Sequence, residues 1–535
     1  MKQSYFTGTG RLLWFMLRRD RVRLTLWVLG ITVFTILMAP YFTDMYPTAE
    51  SRQMMAESMQ GPATILLCGP VYSADHYTNG AMLSNYMLLF MGAVVTVMNI
   101  LLIARHTRQD EELGRLDIVR SLPTGKLANM TSAMLLAIIA NVVMAVLIAL
   151  GLSSFGIEDI DLAGSATFAA ALGAVGIFFA AATTVLCQLS SNNRTCTSIS
   201  FAFFGASYIL RGIGDSSGVK ALTVTSPFGL MHMTESYVRN LWWPILIIIV
   251  TSCLVALFAF YLGVRRDLGE GLISARLGRQ EASALLKNPL ALSIRLIRGT
   301  AIAWAAVLFV LCAVLGSLFG ELETMIGENT SLTAFYSNLD FTIVEEFLTM
   351  LTGIMAIIST VAAVSFLMRL RIEERNMRTE HLLARAVARS ELLASAYIPA
   401  MILPVFLIAL GTLSLWGLAS ATVEDVPSAA TFFSASMSYL PAIWTMVGLT
   451  SALIGMFPKA AGAAFGYLGY CFFAQFTVMM FGLPEWLEVL SPFAYIPKIP
   501  VESMKWGGLV VLTVIAAVLS VLGFIWYRKR DAVFY

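Results

Sequence analysis

The strongest constraint on this chain is a row of apolar blocks, most about 20 residues long, that carry charge only toward their ends. They lie near residues 24–43, 82–104, 127–151, 164–188, 196–212 and 241–263, and again near 299–319, 346–368, 392–417, 429–457, 461–482 and 507–527. At about 1.5 Å of rise per residue, a helix of that length crosses a hydrocarbon layer roughly 30 Å thick. Inside such a layer the backbone must satisfy its own hydrogen bonds, so the blocks are forced to be helical. The chain is 58% hydrophobic and 13% charged, whereas soluble domains are roughly a quarter charged. The expected fold class is an all-α polytopic membrane protein with about 12 transmembrane helices.

Charge sorts the connections between blocks into two sets. All but six of the 35 Lys and Arg fall in residues 2–23, 105–126, 194, 265–298, 369–389, 459 and 528–530. The other set is acidic at Glu158, Asp159, Asp161, Glu321, Glu323, Glu328, Glu424 and Asp425. The positive-inside rule then places both termini in the cytoplasm, with an even number of spans and a cell-membrane location. A net charge of +2 leaves no basic face for nucleic acid. Cys68, Cys187, Cys196, Cys253, Cys312 and Cys471 are scattered without CxxC spacing, which predicts neither a disulfide framework nor a metal site. The first residues lack the short apolar core and small-residue cleavage pattern of a removable signal.

The two sets of blocks also repeat one another. Residues 110–126 align without gaps onto 373–389 at an offset of 263, so that Glu111 meets Glu374, Arg115 meets Arg378, Asp117 meets Glu380 and Lys126 meets Arg389. Ser226-Pro227-Phe228 recurs as Ser491-Pro492-Phe493, and Arg266-Asp267 as Arg530-Asp531. Arg18, Arg21 and Trp27 recur as Arg295, Arg298 and Trp304. Four matches in one order predict two parallel six-helix repeats related by a pseudo-two-fold axis normal to the membrane. The expected domains are a first half at 1–264, a cytosolic linker at 265–288 and a second half at 289–535.

The first charged loop of each half is longer than a connection between packed helices needs, usually about 2 to 8 residues. Glu111 and Arg115 stand at i, i+4 with the acid first, as do Glu374 and Arg378, which predicts a helical ion pair in each loop. Pro123 is placed to stop the first of these helices. Membrane orientation alone needs Lys and Arg but no matched acids, so the duplicated pattern points to docking of a cytosolic partner. A solvated basic loop is the plainer alternative. Ahead of each first span, Arg11, Arg18, Arg19 and Arg21 flank the apolar stretch 12–17, with a weaker echo at Arg295 and Arg298. Such a segment suits the membrane interface, with its arginines reaching lipid headgroups; a basic extension of the span is the alternative.

With these motifs the chain resembles the ABC-2 type transporter permeases, and most of all the fused twelve-span group of exporters of polyketide antibiotics. The resemblance rests on RLLWFMLRRDRVRLTLWVLG at the start, EELGRLDIVRSLP and its partner EERNMRTEHLLARAVAR, and VRRDLG at the close of the first half. The second loop departs from the first, with Met377 and Ala386 in place of the glycine and proline. The resemblance implies that the loops are coupling helices seated on two cytosolic ABC ATPase subunits. Glu111, Glu112, Arg115, Asp117 and Arg120 would face one, and Glu374, Arg378, Glu380, Arg385 and Arg389 the other. It also implies an elbow helix before each half, and short outer helices near Ser-Pro-Phe. The chain has no G-x-x-x-x-G-K-[ST], so ATP and Mg would be bound by the partner, with no cofactor and no catalysis on this chain.

Within the spans, ionisable residues such as Arg211, Glu345, Glu346 and Glu391 stand near the ends, and the centres carry neutral groups such as Asn99, Asn141, Thr183, Thr184 and Gln475. No proton relay is evident. Asn99, Phe472, Gln475 and Phe476 are the candidates for a substrate path, against the plainer role of bridging or packing neighbouring helices. The small-residue run 163–182 and the spacing Gly462-x-x-x-Gly466 predict close helix packing. The expected function is the membrane subunit of a bacterial ATP-driven exporter of amphipathic or hydrophobic compounds. The alternative is a proton-coupled multidrug carrier of the major facilitator type, which shares the topology but usually carries buried acids. A membrane sensor or lipid-processing enzyme lacks a cluster of catalytic residue types.

Overall fold

The computed structural model describes residues 5–73, 76–267, 269–273, 286, 288–328, 343–385, 387–423, 426–477 and 486–530. The chain divides into two compact units, Met1–Gly278 and Arg279–Tyr535. Among the described residues all regular structure is helical, and eleven helices are long and apolar enough to cross a membrane. The twelfth expected span, near 461–482, is represented by the shorter helix Ala463–Thr477, and residues 478–482 of that block lie outside the described residues.

In the first unit the spans are α1 (Thr9–Met45), α4 (Asn79–Ala104), α7 (Ala128–Ser153), α8 (Leu162–Leu189), α9 (Asn193–Ser217) and α12 (Trp243–Arg265), joined by the short helices α2 (Ala49–Ser58), α3 (Pro62–Cys68), α5 (Asp110–Glu112), α6 (Arg115–Arg120), α10 (Lys220–Thr225) and α11 (Pro227–His232). Helix α8 is the hub, packed against α4, α7 and α12. Its small residues explain this role. A Cβ on Gly176 would lie 2.1 Å from Asn141 Oδ1 and 2.7 Å from Asn99 Nδ2, so glycine is what lets α8 reach the α4–α7 seam.

In the second unit the long helices are α13 (Pro289–Glu328), α14 (Ile343–Arg375), α16 (Arg389–Thr422), α18 (Leu440–Met456) and α21 (Trp506–Lys529). The short α15 (Glu380–Leu383), α17 (Ala429–Met437), α19 (Ala463–Thr477) and α20 (Trp486–Val489) lie between them. Helices α18 and α21 pack closely along their length. A Cβ on Gly455 would sit 2.5 Å from the Gly523 carbonyl, and one on Gly448 would sit 2.7 Å from that of Ala516. The expected close packing at Gly462 and Gly466 is not formed. Among the described residues no atom lies within 4 Å of where either would carry a Cβ, and Gly462 precedes its helix.

The repeated Ser-Pro-Phe segments build the same turn. The Ser226 hydroxyl accepts the Phe228 backbone N–H at 3.3 Å and starts α11, and Ser491 accepts that of Phe493 at 3.3 Å to start a 3-10 turn, with proline in the first helical position each time. Two expectations are corrected. No break separates an elbow from the first span of either unit: α1 and α13 run unbroken for 37 and 40 residues. The cysteines are not all free, because the fold brings the end of α8 to the start of α9 and joins Cys187 to Cys196 in a disulfide.

Candidate functional site

In the first unit α4 continues through a π-helical turn, Arg105–Gln109, into the single turn α5. Gly114 then takes the left-handed region at φ 68°, and α6 starts in a new direction. That break puts Glu111 and Arg115 on different helices, so the expected i, i+4 pair does not form. Glu111 turns inward instead, its side chain only 5% exposed. It accepts from Arg266 Nη2 at 2.6 Å, from Arg108 Nη1 at 3.0 Å and from the Gly269 backbone N–H at 2.8 Å. Arg115 bridges to Asp110 at 3.0 Å, and Asp110 also receives Arg19 Nη2 at 2.6 Å.

The second unit repeats the arrangement. Helix α14 ends at Arg375, and Met377 takes φ 57°, the conformation Gly114 takes in the first unit. The break again denies Glu374 its expected pairing with Arg378. Buried Glu374 accepts from Arg371 Nη1 at 3.3 Å, from Arg530 Nη2 and from the Tyr527 hydroxyl at 2.7 Å. Arg378 bridges to Glu373 at 3.3 Å, as Arg115 does to Asp110. The last span is tied in twice in each unit. Lys126 Nζ donates to the Val264 carbonyl at 2.6 Å, and the matching Arg389 donates to the Arg530 carbonyl.

A carboxylate at the end of the second span therefore clamps the end of the last span through a guanidinium, in both units. Taking two charges out of water costs several kcal/mol each, which is offset only when the geometry is good and further hydrogen bonds meet the carboxylate, as two cations and a third donor do here. Removing one partner leaves an uncompensated buried charge, so the root of each loop is held stiffly. Glu111 and Glu374 are thereby corrected from docking residues to the buried anchors beneath the loop.

The loop face itself is carried by other residues. Glu112, Arg115, Asp117, Arg378, Glu380 and Arg385 are exposed, Glu112 also accepting the Asn193 N–H at 3.0 Å. Arg120 and Arg389 are half-buried. Apolar side chains stand among them: Leu113, Ile118 and Leu122 in the first loop, with Ile118 70% exposed, and Ile372 and Met377 in the second. Of the basic residues ahead of the spans, Arg11, Arg18, Arg21, Arg295 and Arg298 are exposed, whereas Arg19 is turned onto Asp110 and His106.

The candidates for a substrate path divide between the units, Asn99 in the first and Phe472, Gln475 and Phe476 in the second. Asn99 is fully buried and pairs reciprocally with Asn141, at 3.1 and 2.8 Å, so it bridges α4 and α7 rather than lining an opening. Gln475 packs against Gly353 of α14, Phe472 is exposed, and the Phe476 side chain lies outside the described residues. Sequence reading missed Arg108, Arg371, Arg266 and Arg530 as partners of the carboxylates. The signal was present: Arg108 and Arg371 share the offset of 263 with the acids, and Arg266-Asp267 recurs as Arg530-Asp531.

A family model described as "Multidrug efflux system permease Rv1217c, C-terminal domain" matches residues 11–264 and 286–528, and so takes in both loops and both clamp carboxylates. The chain is also similar to the multidrug efflux system permease protein Rv1217c of Mycobacterium tuberculosis (strain ATCC 25618 / H37Rv), at 33% identity over 534 residues that cover 99% of this chain and 96% of that protein. A match of that extent to a permease, with helices built to span a bilayer throughout, makes this multi-pass membrane protein a member of the Rv1217c family of multidrug efflux system permeases.

Proposed function

We propose that this chain is the transmembrane subunit of an ATP-driven exporter of the ABC-2 type, working with two cytosolic ABC ATPase subunits to move amphipathic or hydrophobic compounds out of the cell. The observation that carries this reading is the exposed, mixed apolar and charged loop that each unit holds on a buried ion-pair root. Apolar side chains set among charges are the makeup of a protein contact surface. The root gives such a contact mechanical consequence: because Glu111 joins the end of α4 to the end of α12, a force on the loop is passed to two spans together. Glu374 does the same for α14 and α21.

On this reading ATP and Mg belong to the partner, whose docking side is also the side of both termini. The compounds carried are antibiotic, drug or lipid-like, as suits apolar spans and a relative named for multidrug efflux. A proton-coupled carrier of the major facilitator type would instead need a titratable relay, and the mid-span polar pair of Asn99 with Asn141 is neutral. The test is gentle extraction of the tagged chain from its native membrane, identification of what accompanies it, and an ATP hydrolysis assay. Near-stoichiometric recovery of a Walker-motif ATPase, active in the complex, is expected. A chain recovered alone that transports on a proton gradient overturns the proposal.

A further inference from the structure

Where α4, α8 and α12 end and α7 begins, the first unit forms a partly open cavity of about 40 Å³. Its walls carry four cations, Arg108, Arg120, Lys126 and Arg266, against the single carboxylate of Glu111. Arg108 and Arg266 share that carboxylate, and Lys126 is engaged with a carbonyl. Arg120 makes no hydrogen bond or salt bridge among the described residues. Burial lowers the pKa of its guanidinium, Glu111 pulls the other way, the like charge of Arg266 adds to the lowering, and Asp117 opposes it more weakly. The cavity therefore holds about three positive charges more than its own acid neutralises, one of them half-buried and without a bonded partner.

The second unit shows what this frame looks like when the protein fills it. At the offset of 263 that aligns the clamps, Arg120 is matched by Leu383, and with Arg266 set on Arg530, Gly263 is matched by Tyr527. The Tyr527 hydroxyl donates to Glu374 at 2.7 Å, so a side chain of the unit itself occupies the carboxylate there and the surplus cation is absent. In the first unit Gly263 lines the cavity where the second unit has that ring, with Met130 Cε 3.0 Å from where its Cβ would lie, and arginine replaces leucine beside it. Positive charge has been added beside the clamp, within a scaffold otherwise shared.

We propose that this cavity binds a phosphate-bearing anion, supplied either by the headgroup of an anionic phospholipid or by free phosphate. Its volume admits about three waters, which is the scale of a phosphate group's oxygens. Guanidinium is the side chain suited to those oxygens, through paired charge-assisted hydrogen bonds. The position at span ends puts the cavity at the depth where headgroups lie, so lipid can enter with its chains left outside. The inference stands apart from the transport reading, since it depends only on the cavity and its charge.

The test uses the full chain purified in mild detergent, with melting temperature read against phosphatidylglycerol, phosphatidylcholine or sodium phosphate. Phosphatidylglycerol is expected to raise the melting temperature in a saturable way and phosphatidylcholine not to. Arg120→Leu, which installs the residue of the second unit, should weaken that response about tenfold, as loss of a hydrogen bond to a charged group does. Arg265→Leu is the control, because Arg265 is a neighbouring exposed cation stacked on Tyr261 outside the cavity, and its response should match the wild type. Saturable stabilisation by sodium phosphate, lost in Arg120→Leu, supports the site with soluble phosphate as the source. Equal loss in both variants overturns the proposal, since it reports general attraction of basic residues to anionic lipid. Should Arg120→Leu fail to fold, native mass spectrometry of the wild type decides: preferential retention of phosphatidylglycerol or phosphate supports the site, and equal adducts of both lipids with no phosphate overturn it.

Discussion

Arg266 reaches Glu111 at 2.6 Å across 155 residues of chain, and closes the last span of its unit onto the end of the second. Because Arg530 makes the same contact with Glu374, the clamp is a property of both units rather than a local accident.

Glu111→Gln should therefore destabilise the protein rather than change a surface. It keeps the shape but leaves Arg108 and Arg266 facing a neutral amide, a loss of roughly 3 kcal/mol for a buried pair robbed of one charge. Melting of the purified chain in detergent measures it. Glu111→Gln combined with Arg266→Met should cost clearly less than the two single changes added together. Simple additivity would mean that the two residues are not coupled.

Partner docking should respond to the exposed face and not to the root. Ile118→Asp with Asp117→Lys is expected to leave membrane insertion and melting temperature within the range of ordinary surface changes, about 0.5 kcal/mol. Co-purification of the ATPase should fall at least about tenfold, the cost of a lost apolar contact together with a reversed charge. Undiminished recovery of an ATPase would show that this loop is not the docking surface.

Left-handed backbone at the loop's bend predicts opposite outcomes at two matched positions. Gly114→Ala should cost about 1 kcal/mol. The reason is torsional, because a Cβ there meets nothing nearer than Asp117 Oδ2 at 3.8 Å. Met377→Gly should be neutral or stabilising by less than about 1 kcal/mol, since relief of φ 57° is partly offset by the greater freedom of glycine in the unfolded chain. Thermal melts of the two variants, compared with wild type, test the sign of each.

The Asn99–Asn141 bridge predicts a stability effect without a change of cargo. Asn99→Ala should lower stability by about 1 kcal/mol, in the upper part of the range for hydrogen bonds between membrane helices. The profile of compounds exported, measured as relative resistance across a panel, should keep its order. A selective loss of one compound would return Asn99 to the substrate path.

Much of the architecture was legible before any coordinates. The blocks at 24–43 and 507–527 announced spans because a bilayer demands continuous apolar sequence, and the repeat of Glu111 as Glu374 marked both loops. What misled was spacing. Glu111 and Arg115 stand four apart, but that distance means proximity only on an unbroken helix, and one left-handed residue between them removed it. Met377 gave no compositional hint that it would bend the chain as glycine does. The Gly462-x-x-x-Gly466 pattern likewise read as a contact, yet the backbones that touch are those of Gly455 and Gly523.

The sequence alone determined the membrane class, the near-complete set of spans and the doubled loop, because each of these follows from the solvent a segment must lie in. Tertiary structure alone decided which acid meets which base, that Asn99 is spent on Asn141, and that one unit carries a basic cavity where the other places Tyr527. Those outcomes depend on helix ends converging from residues as far apart as Glu111 and Arg266. Local periodicity holds no information about that convergence, because it reports one helix's surroundings and not which neighbour fills them.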